Sequence, residues 1–168
     1  MIDTSYVRTM ARYNAWQNDS LYAAAATLDD TARRQDRGAF FQSIHGTLCH
    51  LLWADQMWLS RFAGTPKPAA RIHESPGLVA SWDDLVAGRK AFDQTITDWA
   101  AGLSDDWLAG DLTWFSGATQ REMRKPVGLL VAHMFNHQTH HRGQVHAMLT
   151  AAGAKPEDTD LMLVDIVP

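Results

Sequence analysis

Five of the chain's eight histidines fall between His133 and His146, in the run His133-Met-Phe-Asn-His137-Gln-Thr-His140-His141-Arg-Gly-Gln144-Val-His146. The run follows Pro126, a residue that suits the first turn of a helix. In a helix, His137 and His141 lie one turn apart with side chains on a shared face. Leu130, Met134, Val145 and Met148 occupy that face too, which turns the two imidazoles inward. Neutral imidazoles at this spacing can clasp one metal ion. Two histidines at the edge of a core, satisfied by hydrogen bonds, would produce the same spacing.

Elements that position such residues follow from the apolar periodicity. Tyr6, Met10, Tyr13, Gln17, Leu21, Ala24 and Leu28 keep helical spacing, with Thr4 or Ser5 as the cap. Asp29 to Gly38 is a mixed-charge run that reads as a loop. A second helix is predicted from Ser43 to Phe62, where Ile44, Leu48, Leu51, Asp55, Leu59 and Phe62 form one stripe and Gly64-Thr-Pro66 closes it. His50 lies off that stripe, beside Trp53, Ala54 and Met57. A helix apolar on two sides needs covering on both, which predicts a partner as well as a bundle. Residues 65–80 hold three prolines and read as a crossover.

Ser81-Trp-Asp-Asp84 has the pattern of a capping box before a third helix through Trp82, Leu85, Val86, Phe92, Ile96, Trp99 and Leu103. Leu112–Phe115 and Thr119–Met123, flanking Ser-Gly-Ala, predict a small hairpin between helices 3 and 4. The last helix runs from Pro126 to about Gly153, and the tail through Leu161 lies along the bundle. The expected fold is all-α, an antiparallel four-helix bundle with one long crossover, in a single domain over 1–168.

Composition narrows the function classes. A net charge of −4 with no basic stripe argues against nucleic acid as a partner. The single cysteine, Cys49, cannot form an internal disulfide and fits a reducing cytoplasm. Met1 to Thr9 has no apolar core of a signal sequence, and no apolar run reaches membrane-spanning length. Seven tryptophans and seven methionines suggest bulky packing surfaces, and with the broad apolar face of helix 2 they predict a homodimer.

Asn136-His137-Gln-Thr-His140-His141-Arg142-Gly143-Gln144 resembles the last-helix signature N-H-x-x-x-H-R-G-Q of the DinB/YfiT-like family. Ser43-Ile-His-Gly-Thr-Leu-Cys-His50-Leu-Leu-Trp-Ala-Asp55 is similar to its second-helix motif, and Tyr13-Asn14-Ala-Trp16-Gln-Asn18 to its first-helix opening. The resemblance implies a four-helix bundle with a divalent metal held by His50, His137 and His141. Three protein ligands leave a position open, as in catalytic zinc sites. Zinc is the first expectation and nickel the second. His140 stands where the family pattern has an aromatic, which bears on the polarity of the pocket.

Two readings of function follow from the resemblance. One is an enzyme, a metal-dependent thiol S-transferase or isomerase that uses a low-molecular-weight thiol (bacillithiol, mycothiol or glutathione) on a small electrophile. The other is a non-catalytic metal-binding protein whose ion ties helix 2 to helix 4. In the first, the protein's own Cys49 is not the nucleophile, because it points about 100° away from His50. Around the triad, His133 is expected at the bundle edge and His140 near the pocket. His45, His73 and His146 are expected to face solvent or bond locally. Asp55 would hold a ligand's second nitrogen or make a structural pair. Arg142 and Gln144 would orient the site or bond across helices. Trp16, Trp53 and Trp58 are read as core or interface.

Overall fold

The computed structural model describes residues 2–117 and 119–164. Ala118, in the expected glycine turn, and the outermost ends of the 1–168 domain lie outside the described residues. Four long helices dominate: α1 (Thr4–Ala26), α3 (Ile44–Ala63), α4 (Trp82–Ala101) and α6 (Val127–Ala151). Two short ones join them, α2 (Asp30–Arg34) and α5 (Asp105–Ala109). The fold is mostly helical, with one small sheet. β1 (Asp111–Ser116) and β2 (Arg121–Pro126) form the predicted antiparallel hairpin, with Trp114 opposite Met123.

Caps explain most boundaries. Asp3, rather than Thr4 or Ser5, opens α1 by accepting the Tyr6 N–H at 2.8 Å. Ser43 and Ser81 cap α3 and α4 as the sequence predicts. Gly64 ends α3 at φ 68°, a left-handed conformation that glycine adopts without a Cβ clash. Pro126 is the residue before α6, closing β2, rather than its first turn. The mixed-charge loop contains α2, which Asp29 caps, and the crossover contains a 3₁₀ turn, Ile72–Gly77.

Each long helix carries two apolar segments separated by a polar one. Val7, Leu59, Ile96 and Val131 belong to one core cluster; Leu21, Leu48, Leu85 and Leu149 belong to another. Burial of a leucine-sized side chain stabilises the fold by roughly 1.5–3 kcal/mol, so both clusters contribute heavily. Between them lie Asn14 and Asn18 of α1, Asp55 of α3, Arg89 and Asp93 of α4, and Gln138 and Arg142 of α6, all buried. The order in which each helix meets the two clusters gives its direction. α1 and α6 run one way, and α3 and α4 run the other.

That order corrects the antiparallel expectation for α3 and α4, which point the same way. It also explains the long crossover, because the chain must travel back the length of a helix, about 30 Å, before α4 begins. On its way it covers the second apolar side of α3. Trp53, Ala54 and Met57 pack against Ala70 and Leu78, and the Trp53 indole N–H donates to the Ala70 carbonyl at 2.7 Å. The chain itself therefore meets the demand that had suggested a partner on this side of α3. The tail runs along α1 as predicted: Tyr13 and Gln17 donate to the carbonyls of Thr159 and Asp158, at 2.7 and 2.9 Å. No helix among the described residues is long and apolar enough to cross a membrane.

Candidate metal centre

His137 and His141 sit one turn apart on α6, and His50 reaches them from α3. The His50 and His137 Nε2 atoms are 3.2 Å apart, and one ring nitrogen from each of the three histidines lies within 4.8 Å of the others. Two nitrogens around a tetrahedral zinc are about 3.3 Å apart, given Zn–N near 2.0–2.1 Å. The spacing therefore fits a shared divalent ion. Two imidazole nitrogens this close must otherwise share a proton.

The outer hydrogen bonds fix which nitrogen is free. Ser75 donates its hydroxyl proton to the Ile72 carbonyl at 2.6 Å, so toward His50 it can only accept. His50 Nδ1, 2.9 Å away, must carry the proton, which leaves the Nε2 lone pair facing the cluster. His141 Nδ1 likewise donates to Gln144 Oε1 at 2.8 Å, which frees its own Nε2. The amide of Gln144 continues to His140 Nε2 at 3.4 Å.

Burial and the neighbouring imidazoles keep the cluster neutral. Desolvation, then His137 and His141, push His50 down to about 3; desolvation, then His141, push His137 down to about 3. Burial lowers His141 too, against the pull of its bond to Gln144. Neutral imidazoles are the form that binds metal. Among the described residues no carboxylate belongs to the cluster.

Two segments outside the long helices complete the enclosure. The Phe41 ring stacks on His50 with centroids 3.7 Å apart and lies 5.4 Å from His141. Its loop can approach α3 because residue 46 is glycine. A Cβ there would meet the Phe41 carbonyl oxygen at 2.7 Å and Pro76 at 3.3 Å. Gly46 thus seats both the Phe41 loop and the 3₁₀ turn that brings Ser75. The open side is at His137, the one half-buried member of the triad. It shares a groove of about 560 Å³ with His133, Asn136, Thr139 and His140.

The other candidates fall in different places. Asp55 does not support a ligand; it accepts from Arg89 at 2.7 Å and Gln138 at 2.9 Å, the structural pairing. Arg89 also pairs with Asp93 at 2.8 Å, and Asn14 and Asn18 donate to Asp93 at 2.9 Å. Arg142 donates to Asn14 across helices rather than toward the cluster. Gln144 orients His141. His133 is exposed, edge-on to Trp58 at 5.2 Å, and His140 is exposed on the groove. His73 faces solvent, but His45 is buried and bonds the distant Val79 carbonyl at 2.8 Å, as the buried Cys49 thiol does at 3.5 Å. Ser75 and Phe41 escaped the sequence reading because neither lies in a periodic element. The only signal was Gly46, one turn before His50.

Comparisons with known proteins bear on the family and the fold. A sequence model described as the DinB family matches residues 1–165. Protein DinB of Bacillus subtilis (strain 168) is 25% identical over 149 residues, covering 88% of this chain and 87% of that protein. The crystal structure of a DinB-like protein from Bacillus cereus ATCC 10987 superposes with a TM-score of 0.62 at 19% identity. It covers 85% of this chain and 90% of that one, a likeness of fold. The chain belongs to the DinB family.

Proposed function

We propose that this DinB-family protein binds one divalent ion, zinc first and nickel second, through His50, His137 and His141, and uses it as a thiol S-transferase or isomerase on small electrophiles. The observation that carries the reading is the convergence of neutral imidazole nitrogens, two with their tautomers set by outer bonds, at a point that opens on a groove. A bound divalent ion with three neutral ligands lowers the pKa of a thiol or water and so provides a nucleophile at neutral pH.

The chain's own residues then have separable tasks. Ser75 and Gln144 hold the rings of His50 and His141 in the tautomer that presents Nε2. Phe41 excludes water from the His50 side. His137 forms the boundary between the centre and the groove, where a substrate would approach. Cys49 is buried, and burial raises its thiol above the usual range, which supports a small external thiol as nucleophile.

A non-catalytic reading has one observation in its favour: the ligands come from α3 and α6, so an ion would tie those helices together. Metal analysis of protein purified without a histidine tag, followed by a thiol-conjugation screen, separates the two. Cys49→Ala should keep the activity, and His141→Ala should lose metal and activity together. Conjugation that persists in metal-free His141→Ala would refute the enzyme mechanism. Metal-loaded protein that turns over no thiol and electrophile pair would favour the tie between helices. A homodimer remains a proposal; a monomer in sedimentation at micromolar concentration would count against it.

A further inference from the structure

The groove beside His137 has a definite chemical character. Its lining residues are His133, Asn136, His137, Thr139 and His140, which include imidazole and amide donors and no carboxylate, while the Thr139 hydroxyl already donates to the Phe135 carbonyl. The outer bonds settle one of those donors. Gln144 accepts from His141 through Oε1, so its amide faces His140 Nε2, and the proton of His140 resides on Nδ1.

A cation stands behind the His133 end. The guanidinium of Arg61 lies 4.6 Å from the Trp58 ring centroid and 5.8 Å from that of Trp114. Trp58 in turn meets His133 edge-on at 5.2 Å. Arg61 is half-buried, and its positive charge is felt at His133. No carboxylate pairs with it among the described residues; its contacts are the two indole faces. This contrasts with Arg89, which has two carboxylate partners. A half-buried, uncompensated guanidinium one indole ring behind the His133 end of the groove attracts an anion more strongly than a surface arginine would.

We propose that this groove is a carboxylate subsite: it takes small molecules with an anionic carboxylate directed to the His133 and Arg61 end and an apolar or aromatic body. This rests on the reading above only in its consequence, that such a ligand places its other end at His137 and the candidate metal centre. Binding of the carboxylate itself needs no metal. The indoles of Trp58 and Trp114, behind the lining, hold Arg61 in place by cation–π contact.

The probe is benzoate, with benzamide as its neutral isostere, titrated into the full chain both metal-free and zinc-loaded. Histidine side-chain ¹⁵N resonances report the site. Benzoate should shift His133 and His140 saturably in the metal-free chain, and benzamide should bind at least about tenfold more weakly, as loss of a charge-assisted contact implies. Arg61→Gln should weaken benzoate about tenfold, and Arg61→Lys should recover most of that loss. Equal binding of benzoate and benzamide to the unmutated chain would overturn the proposal, whatever Arg61→Gln does to folding. So would benzoate shifts confined to residues outside the groove. Benzoate binding intact in a chain that takes up no zinc would leave the subsite standing and remove the metal reading. Zinc binding without a benzoate preference would do the reverse.

Discussion

Along α6, His137 and His141 face the histidine cluster, while Gln138 and Arg142, each one residue further on, face the polar layer at the centre of the fold. The two regions treat charge in opposite ways. In the layer the carboxylates are paired: Arg89 bridges Asp55 and Asp93 at 2.7 and 2.8 Å, Asn14, Asn18 and Gln138 donate to the same carboxylates, and Arg142 donates to the neutral Asn14 and Thr139. The layer joins all four long helices through side chains of the protein itself. In the cluster the lone pairs converge with no cation of the protein's own, and only α3 and α6 contribute. A buried polar group that is satisfied specifies the fold; one that converges unsatisfied specifies a ligand.

Substitutions should sort by region. The largest effect belongs to Arg89→Ala, which strands two buried carboxylates. Loss of a buried partner costs about 3–5 kcal/mol, enough to unfold many single domains. Denaturant titration should show that loss. A cost under about 1 kcal/mol would mean that the layer is wetter than its burial implies. His141→Ala should do the opposite, changing metal-free stability little while reducing zinc affinity at least about a hundredfold, more than loss of an outer partner does. If both variants lost stability alike, the division between the regions would fail.

The motif on α6 was legible for a physical reason, since one turn of helix places His137 and His141 together whatever the rest of the chain does. His50 was legible only through the motif resemblance, because it lies off the main stripe of α3. Asp55 was seen to need a partner, but the partner, Arg89, lies on α4, and periodicity says nothing of how two helices meet. The four long helices followed from apolar spacing. The direction of α4 did not, because only the tertiary return of the crossover sets it, and with it the position of Ser75. The five-residue helices α2 and α5 are too short for periodicity, although Asp29 and Ser104 cap them.

Ser75 sharpens the comparison at a smaller scale. Ser75→Ala removes the group that fixes the His50 tautomer, and zinc affinity should fall about 10–100-fold with stability lowered by only about 1 kcal/mol. An unchanged zinc affinity would show that stacking on Phe41 alone orients His50.

The pH dependence of the metal-free protein should be gentler and of opposite sign in the two regions. His50 and His137 titrate near 3 when folded and near 6.5 when unfolded, so the unfolded chain binds more protons between those values. Their contribution is complete above about 6.5 and is lost as pH falls toward 3. Burial raises Asp93 to about 6 from 3.8, so its contribution is present below 3.8 and is lost as pH rises through 6. The histidines outnumber it, and net stability should rise with pH from about 4 to 6.5. A fall over that range would mean that the layer, not the cluster, controls the titration.

The most direct test of the central claim is X-ray absorption at the zinc edge on untagged protein loaded with one equivalent of zinc. A three-histidine centre should give a nitrogen and oxygen shell with Zn–N near 2.0–2.1 Å, imidazole scattering from three histidines, no sulfur shell, and loss of the bound zinc in His141→Ala. A Zn–S distance near 2.3 Å, or a histidine count unchanged in His141→Ala, would contradict it.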